Sequence, residues 1–320
     1  MSIIEKAIEK LEQQAQAAGS AKREAAAQAV VTSTPPVSSA AVPPGAAARP
    51  DLPLIELPLA RLNELGLVTP DRPRSQIAEE FRLIKRPLLA NVEGKGAVAI
   101  SNANLLMVTS AVQGEGKTFT AVNLAMSLSM EEDRTVLLVD GDMAKASAGE
   151  LLGVPNDARG LIDVLEHDDI SIEDVLLHTS IPNLRIIPAG LLHERATELL
   201  ASEGMRRLVR ELSTRYTDRV VVFDSPPLLL TSEAGVLASL MGQIVFVVAA
   251  EQTPPSAVTE AVARIPDDKV VGMVLNKTRS NPLQQFGYGY GYGYGYGYGY
   301  GYGEQQEGEG RARRRKTNAG

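Results

Sequence analysis

Between Ala111 and Thr118 the chain reads AVQGEGKT, and far downstream eight of its nine tyrosines occupy every second position from Tyr288 to Tyr302, separated by glycines. The first stretch has the chemistry of a phosphate cradle. Gly114 and Gly116 let backbone N–H groups turn inward around phosphate oxygens, and the N-terminus of the helix expected next adds partial positive charge. Lys117 is expected to reach the β and γ phosphates and Thr118 to offer its hydroxyl to Mg²⁺, a cation that takes hard oxygen ligands and keeps several waters. Glu115 and Phe119 lie in the same nucleotide-binding stretch. Three acids follow at the ends of apolar runs: Asp140 and Asp142 after Val136–Val139, and Asp224 after Val220–Phe223. Carboxylates there are candidates for a metal or for a general base, and Asp224 has the position of a Walker-B aspartate. Asn276 ends the last apolar run and reads equally as a contact to a nucleotide base or as a turn residue.

The second stretch has the chemistry of an acceptor. Glycine contributes no packing side chain and loses much entropy on ordering, so the repeat cannot fold alone and its hydroxyls are accessible. Tyr288, Tyr290, Tyr292, Tyr294, Tyr296, Tyr298, Tyr300 and Tyr302 are therefore candidate phosphorylation sites. A low-complexity tail used for weak self-association is the competing reading. Neighbouring tyrosines of an extended strand lie about 7 Å apart, inside the screening length of about 8 Å, so phosphorylation is expected to be incomplete.

Positioning these groups requires an alternation of strands and helices. Apolar runs at Leu105–Thr109, Val136–Val139, Leu184–Ile187, Val220–Phe223, Ile244–Val248 and Val270–Leu275 alternate with helical stretches, one of them from about Phe119 to Met130. Such runs predict an α/β fold of the P-loop NTPase type, a mainly parallel sheet flanked by helices with ligands at the strands' carboxyl ends. A charged helix is predicted over 74–93, with Pro87 expected to bend or end it. Residues 1–13 have the spacing of a short amphipathic helix whose mixed charges favour a protein partner. Residues 14–58 form an Ala/Pro-rich linker, 59–280 the catalytic domain, and 281–320 a disordered tail with a basic end.

Composition narrows the classes. Cysteine is absent, which removes thiol chemistry and fits a reducing compartment, with the cytoplasm as the default. No run approaches the roughly 20 apolar residues of a membrane span, and no secretory signal is expected at the start. A net charge of −7 argues against general nucleic-acid binding, the cluster Arg311–Lys316 notwithstanding. The histidines His167, His178 and His193 are scattered without ligand spacing, so no metal held by the protein alone is expected.

Taken together, the phosphate loop, the motif LLVDGD and the motif VVFDSPP resemble the bacterial tyrosine kinases, over a region from about Arg74 to the tail. Stretches such as EEFRLIKRPLL, RATELLASEGM and VVGMVLNK resemble the exosortase-associated autokinase branch, linked to exopolysaccharide production. The resemblance implies ATP and Mg²⁺ as cofactors, Lys117 and Thr118 on the nucleotide and metal, Asp140 as base toward tyrosine, and Asp142 and Asp224 on the metal. It also implies oligomerisation through Glu79, Arg82 and Lys85, with lysine in place of a last arginine and so without its bidentate geometry. Ala144 and Lys145 stand where many relatives carry arginine. A homo-oligomeric ring, a membrane-embedded activator that recruits the protein to the inner face of the membrane, and a counteracting phosphatase are implied as partners.

Two other functions share parts of the pattern. A partitioning or positioning ATPase has the same nucleotide fold, but a further lysine in its loop would fall on Val112 here. A nucleotide-dependent scaffold would use the Gly/Tyr tail for adhesion alone. No HRD or DFG element is present, which excludes the eukaryotic-type kinase architecture.

Overall fold

The computed structural model describes residues 54–143, 145–191, 196–215 and 218–278. The amphipathic start, most of the Ala/Pro-rich segment, the tyrosine repeat and the basic end lie outside the described residues.

The strands are β1 (Leu54–Ile55), β2 (Leu105–Ser110), β3 (Thr135–Asp140), β4 (Leu177–Thr179), β5 (Leu184–Ile187), β6 (Arg219–Asp224), β7 (Gln243–Ala249) and β8 (Val270–Asn276). The helices are α1 (Leu59–Glu64), α2 (Gln76–Val92), α3 (Lys117–Ser129), α4 (Ser147–Leu152), α5 (Leu161–Glu166), α6 (Ile172–Val175), α7 (Ala196–Leu200), α8 (Glu203–Thr214), α9 (Glu233–Leu240) and α10 (Pro255–Val262). Each of the six expected strands is present. β1 lies within the stretch read as linker: Leu54 and Ile55 pair with His178 and Thr179 of β4, and Leu57 is buried. Pairing to a distant strand orders a segment whose own composition gives no strand signal.

One sheet carries all eight strands in the order β1-β4-β5-β3-β6-β2-β7-β8, every pair parallel except β4 with β5. β6 therefore lies between β2, which leads into the phosphate loop, and β3, which carries the Asp140 pair. Alternate residues of each strand enter two apolar layers. Leu105, Met107, Leu137, Val139, Phe223 and Phe246 pack on one face; Leu106, Val108, Leu138, Val222, Val245 and Val247 pack on the other. Burial on both faces explains the continuous apolar runs.

α3 is buried along nearly all of its length because it is sandwiched between the second layer and α2. α2 turns Ala78, Phe81, Lys85 and Leu88 inward at helical spacing, and its N-cap Ser75 accepts a hydrogen bond from the Ala78 N–H at 3.3 Å. Pro87 does not end this helix, which continues to Val92. The proline removes one bond, that to the Leu83 carbonyl, on a face where Leu83 and Pro87 are exposed and water can take the freed oxygen. Buried Leu88 anchors the last turns. Among the described residues, no helix is long and apolar enough to cross a membrane.

Candidate active site

Parallel pairing brings the chemistry to one end of the sheet. Asp140 is the register partner of Asp224, and Asp224 that of Val108, just before the phosphate loop. The Gly141 N–H donates to the Asp224 carbonyl at 2.7 Å, holding the two strand ends together. Asp142 then lies 4.0 Å from the Lys117 Nζ, with both side chains almost fully buried. The structure thus gathers Lys117, Thr118, Asp140, Asp142 and Asp224.

The loop itself is held by side chains. Gly114 and Gly116 have positive φ, and Gly116 N-caps α3. L residues with a Cβ rarely adopt that left-handed conformation. The Glu115 carboxylate is buried; it accepts from the Val112 N–H at 2.6 Å and from the Thr253 hydroxyl. Its side chain is therefore a brace, leaving its N–H as the group to meet phosphate. The Asn276 Nδ2 donates to the Glu115 carbonyl at 2.9 Å, and the Lys277 Nζ donates to the Gly114 carbonyl at 2.6 Å. Asn276 is neither a mere turn residue nor directed away from the loop: it fastens the end of β8 to it. Phe119 is half-buried and lines a groove between α2 and β8.

The acids are unusually bare. Asp140 Oδ2 accepts from the N–H groups of Ala148 and Gly149 at 3.0 and 3.1 Å, at the start of α4, while its Oδ1 is buried without a partner. Both oxygens of fully buried Asp224 also lack a partner. Burial pushes the Asp224 carboxyl up to about 8; the neighbouring Asp140 charge adds to this, and the Thr118 hydroxyl and the Lys117 ammonium oppose it. Each of these causes acts by favouring or disfavouring the charged form. Thr118 faces Asp224 without reaching hydrogen-bond geometry, so the carboxylate stays unpaired. Burial likewise raises Asp140, to about 6, with Asp142 adding to the shift and the Gly149 and Ala148 N–H groups resisting it.

Unpaired buried carboxylate oxygens are costly and mark a place for a cation. Among the described residues no three His, Cys, Asp or Glu side chains converge as a self-contained metal site. That donor set suits Mg²⁺, which takes one or two carboxylates and completes its shell with water and phosphate oxygens. A cavity of about 360 Å³ opens beside Asp140, lined also by Lys145, Glu150, Asn156, Pro188 and Gly190.

Lys85 departs from the expected oligomerisation element. Its side chain is buried, donates to the Ser127 carbonyl at 2.5 Å and pairs with Glu131 at 2.6 Å. Lysine at this position reaches inward along α3, whereas Glu79 and Arg82 pair with each other on the exposed side of α2. Two residues with clear roles in the loop, Thr253 and Lys277, escaped the sequence reading. Lys277 had a signal, since it follows Asn276 directly at a strand's carboxyl end. Thr253 had none, because its contact with Glu115 spans 138 positions.

A glycine cradle between a parallel strand and a buried helix, faced by acids from two further strands, defines a nucleotide-binding α/β protein of the P-loop class. A family profile described as an AAA domain matches residues 104–253. The chain is 30% identical over 210 residues to the putative tyrosine-protein kinase CapB of Staphylococcus aureus, covering 65% of this chain and 87% of that one. It is 34% identical to the tyrosine-protein kinase Wzc of Salmonella typhi over 58% of this chain, and spans only 26% of that larger relative. Among solved structures, the chimerical protein CapA2B2 superposes with a TM-score of 0.57 at 25% identity, covering 72% of this chain and 95% of that one. The VpsO kinase domain superposes with a TM-score of 0.51 at 29% identity, covering 64% of this chain and all of that one. The chain belongs to the bacterial tyrosine-kinase family, and its enzyme class is protein-tyrosine kinase.

Proposed function

We propose that the protein transfers the γ-phosphoryl group of ATP to its own tyrosines between Tyr288 and Tyr302, with Mg²⁺ as cofactor. The observation that carries this reading is the set of unpaired oxygens on Asp140 and Asp224 beside the Lys117 loop. Mg²⁺, when bound, neutralises charge on the β and γ phosphates. The chain's own residues do the rest. Backbone N–H groups of 114–118 and the Lys117 ammonium hold the phosphates. Thr118, Asp142 and Asp224 would hold the metal. Asp140 has Oδ2 fixed by α4 and Oδ1 without a partner, and it borders a cavity large enough for a tyrosine side chain.

In the transfer the tyrosine oxygen forms a bond to the γ phosphorus, the bond from that phosphorus to the bridging oxygen breaks, and ADP leaves. The tyrosine proton goes to Asp140 Oδ1. A carboxyl raised by burial to about 6 suits that task better than an ordinary one, because it binds the proton near neutral pH. Phosphoryl transfer asks mainly for positioning and charge stabilisation, which a buried lysine and acids supply.

One relative is named a succinoglycan biosynthesis transport protein, ExoP of Rhizobium meliloti, 32% identical over 72% of this chain and 28% of its own length. It supports a role in controlling exopolysaccharide production or export. On this reading a membrane-embedded partner activates and recruits the kinase, the exposed Glu79 and the half-buried Arg82 paired with it contribute to a ring of subunits, and a phosphatase reverses the modification. Tyrosine-site mapping by mass spectrometry after incubation with ATP and Mg²⁺ tests the proposal. Phosphate is expected on the repeat in the wild type and absent in Lys117→Met; phosphate persisting in that variant would refute self-catalysis.

A further inference from the structure

β8 ends the sheet, and no described strand covers its outer edge. Half of its peptide groups point away from β7, a row of donors and acceptors ready for another strand. The two sides of this edge differ. Val271, Met273 and Leu275 stand in register with Ile244, Phe246 and Val248, on the face of the first apolar layer. There α10 does not reach the edge, and Met273 and Leu275 are each more than half exposed. Strands of a parallel sheet are otherwise buried on both faces. On the opposite face Val274 packs beneath α2, where Ile77, Leu83 and Ile84 roof a groove of about 360 Å³ along the strand. An added strand would therefore be asked for bulky apolar side chains over the open face, while on the other face it would run beneath the α2 roof. The repeat from Gly287 to Tyr302 has that alternation at every position.

The chain leaves β8 at the end from which such a strand could return. Residues 277–287, which include Asn281-Pro282, separate β8 from Tyr288 and are long enough to reverse direction. We propose that residues 287–294 of the same chain lie antiparallel along the free edge of β8. Tyr288, Tyr290 and Tyr292 then cover Leu275, Met273 and Val271, while the glycines pass under α2. Period two makes the match all or none: a slip of one residue puts glycine over the open face and tyrosine under the helix. β8 offers seven residues, so only the first half of the repeat can dock. The tyrosines from Tyr296 onward remain available as acceptors. A phosphate on a docked tyrosine adds a charge of about −1.5 to −2 over the apolar side chains of Met273 and Leu275, and detaches the strand. This last step rests on the proposed kinase function; the docking itself does not.

Hydrogen exchange followed by mass spectrometry on the full nucleotide-free chain tests the docking. Amides of Val270–Leu275 are expected to exchange about tenfold faster when Tyr288, Tyr290 and Tyr292 are all changed to serine, the protection given by a docked-to-free ratio of roughly ten to one. The double variant Met273→Lys, Leu275→Lys is expected to show the same fast exchange with β2 and β3 still protected, which separates undocking from unfolding. Equal exchange in wild type and the serine variant would overturn the proposal. So would protection that rises with protein concentration, since it would make a second copy the occupant. If the protein leaves its tyrosines unmodified in ATP but shows the protection, the kinase proposal fails and the docking stands.

Discussion

Asp224→Asn should stabilise the metal-free protein at neutral pH while abolishing its activity. Asp224 is fully buried, both its oxygens are unpaired, and its carboxyl is raised from 3.8 to about 8. A carboxyl that binds its proton more tightly in the folded state favours folding most below the unfolded value. That contribution then falls as pH rises, until the folded form also ionises near 8. Each pH unit in the window is worth about 1.4 kcal/mol, so between about pH 4 and pH 7 the wild type should lose on the order of 4 kcal/mol from this group. Asparagine does not titrate, and its amide has nearly the same shape. The stability difference between variant and wild type should therefore widen steadily from about pH 4 to about pH 8. At neutral pH it corresponds to roughly 10 °C in melting temperature for a domain of this size. Thermal melts in EDTA across that range, wild type against variant, read the effect directly. Adding Mg²⁺ with ADP should raise the wild type more than the variant, because in the wild type the cation also supplies the missing partner to the carboxylate. Parallel pH profiles for the two proteins would refute the claim that burial at this strand end holds the carboxyl in its protonated form.

Asp140 separates chemistry from capping. Asp140→Asn retains an oxygen for the Ala148 and Gly149 N–H groups. At neutral pH it should melt at or above wild type, because it replaces a carboxyl that burial raises to about 6, while losing about 10²–10⁴ in transfer rate; Asp140→Ala, which orphans those N–H groups, should be about 1–3 kcal/mol less stable than Asp140→Asn in urea titration. Gly116→Ala should cost about 1–2 kcal/mol from its left-handed backbone. It should also weaken nucleotide binding in calorimetry, since the new Cβ would collide with the Asn276 Nδ2 and force that residue off the loop. Lys85→Met should destabilise the fold by about 1–3 kcal/mol through the orphaned Ser127 carbonyl, without changing the oligomeric state in analytical ultracentrifugation. Arg82→Ala, on the exposed side of α2, should do the reverse, with less than about 1 kcal/mol of effect on melting and a loss of assembly.

What could be read from the residues follows from how locally each feature is determined. The central strands are legible because burial on two faces forces an unbroken apolar run, and that constraint is written into consecutive residues; β8, at the edge, keeps the apolar run with one face open. β1 and β4, of two and three residues, exist only because each finds a partner in the sheet, and nothing in their own composition requires them. The same division holds at the site. Gly114, Gly116 and Lys117 are recognisable because a phosphate loop is contiguous, and the aspartates because each ends a strand. Which of those strands adjoin is a long-range fact, and the insertion of β6 between β2 and β3 is what sets Asp224 opposite Asp140. Lys85 shows the limit most clearly. Its spacing from Glu79 and Arg82 places it one turn further along α2 and suggests a shared surface. Yet the rotation of α2 onto α3, fixed by Ala78, Phe81 and Leu88, turns that position toward the Ser127 carbonyl. A pattern on one helix specifies which residues share a stripe; only the helix packed against it decides where the stripe ends and the buried face begins.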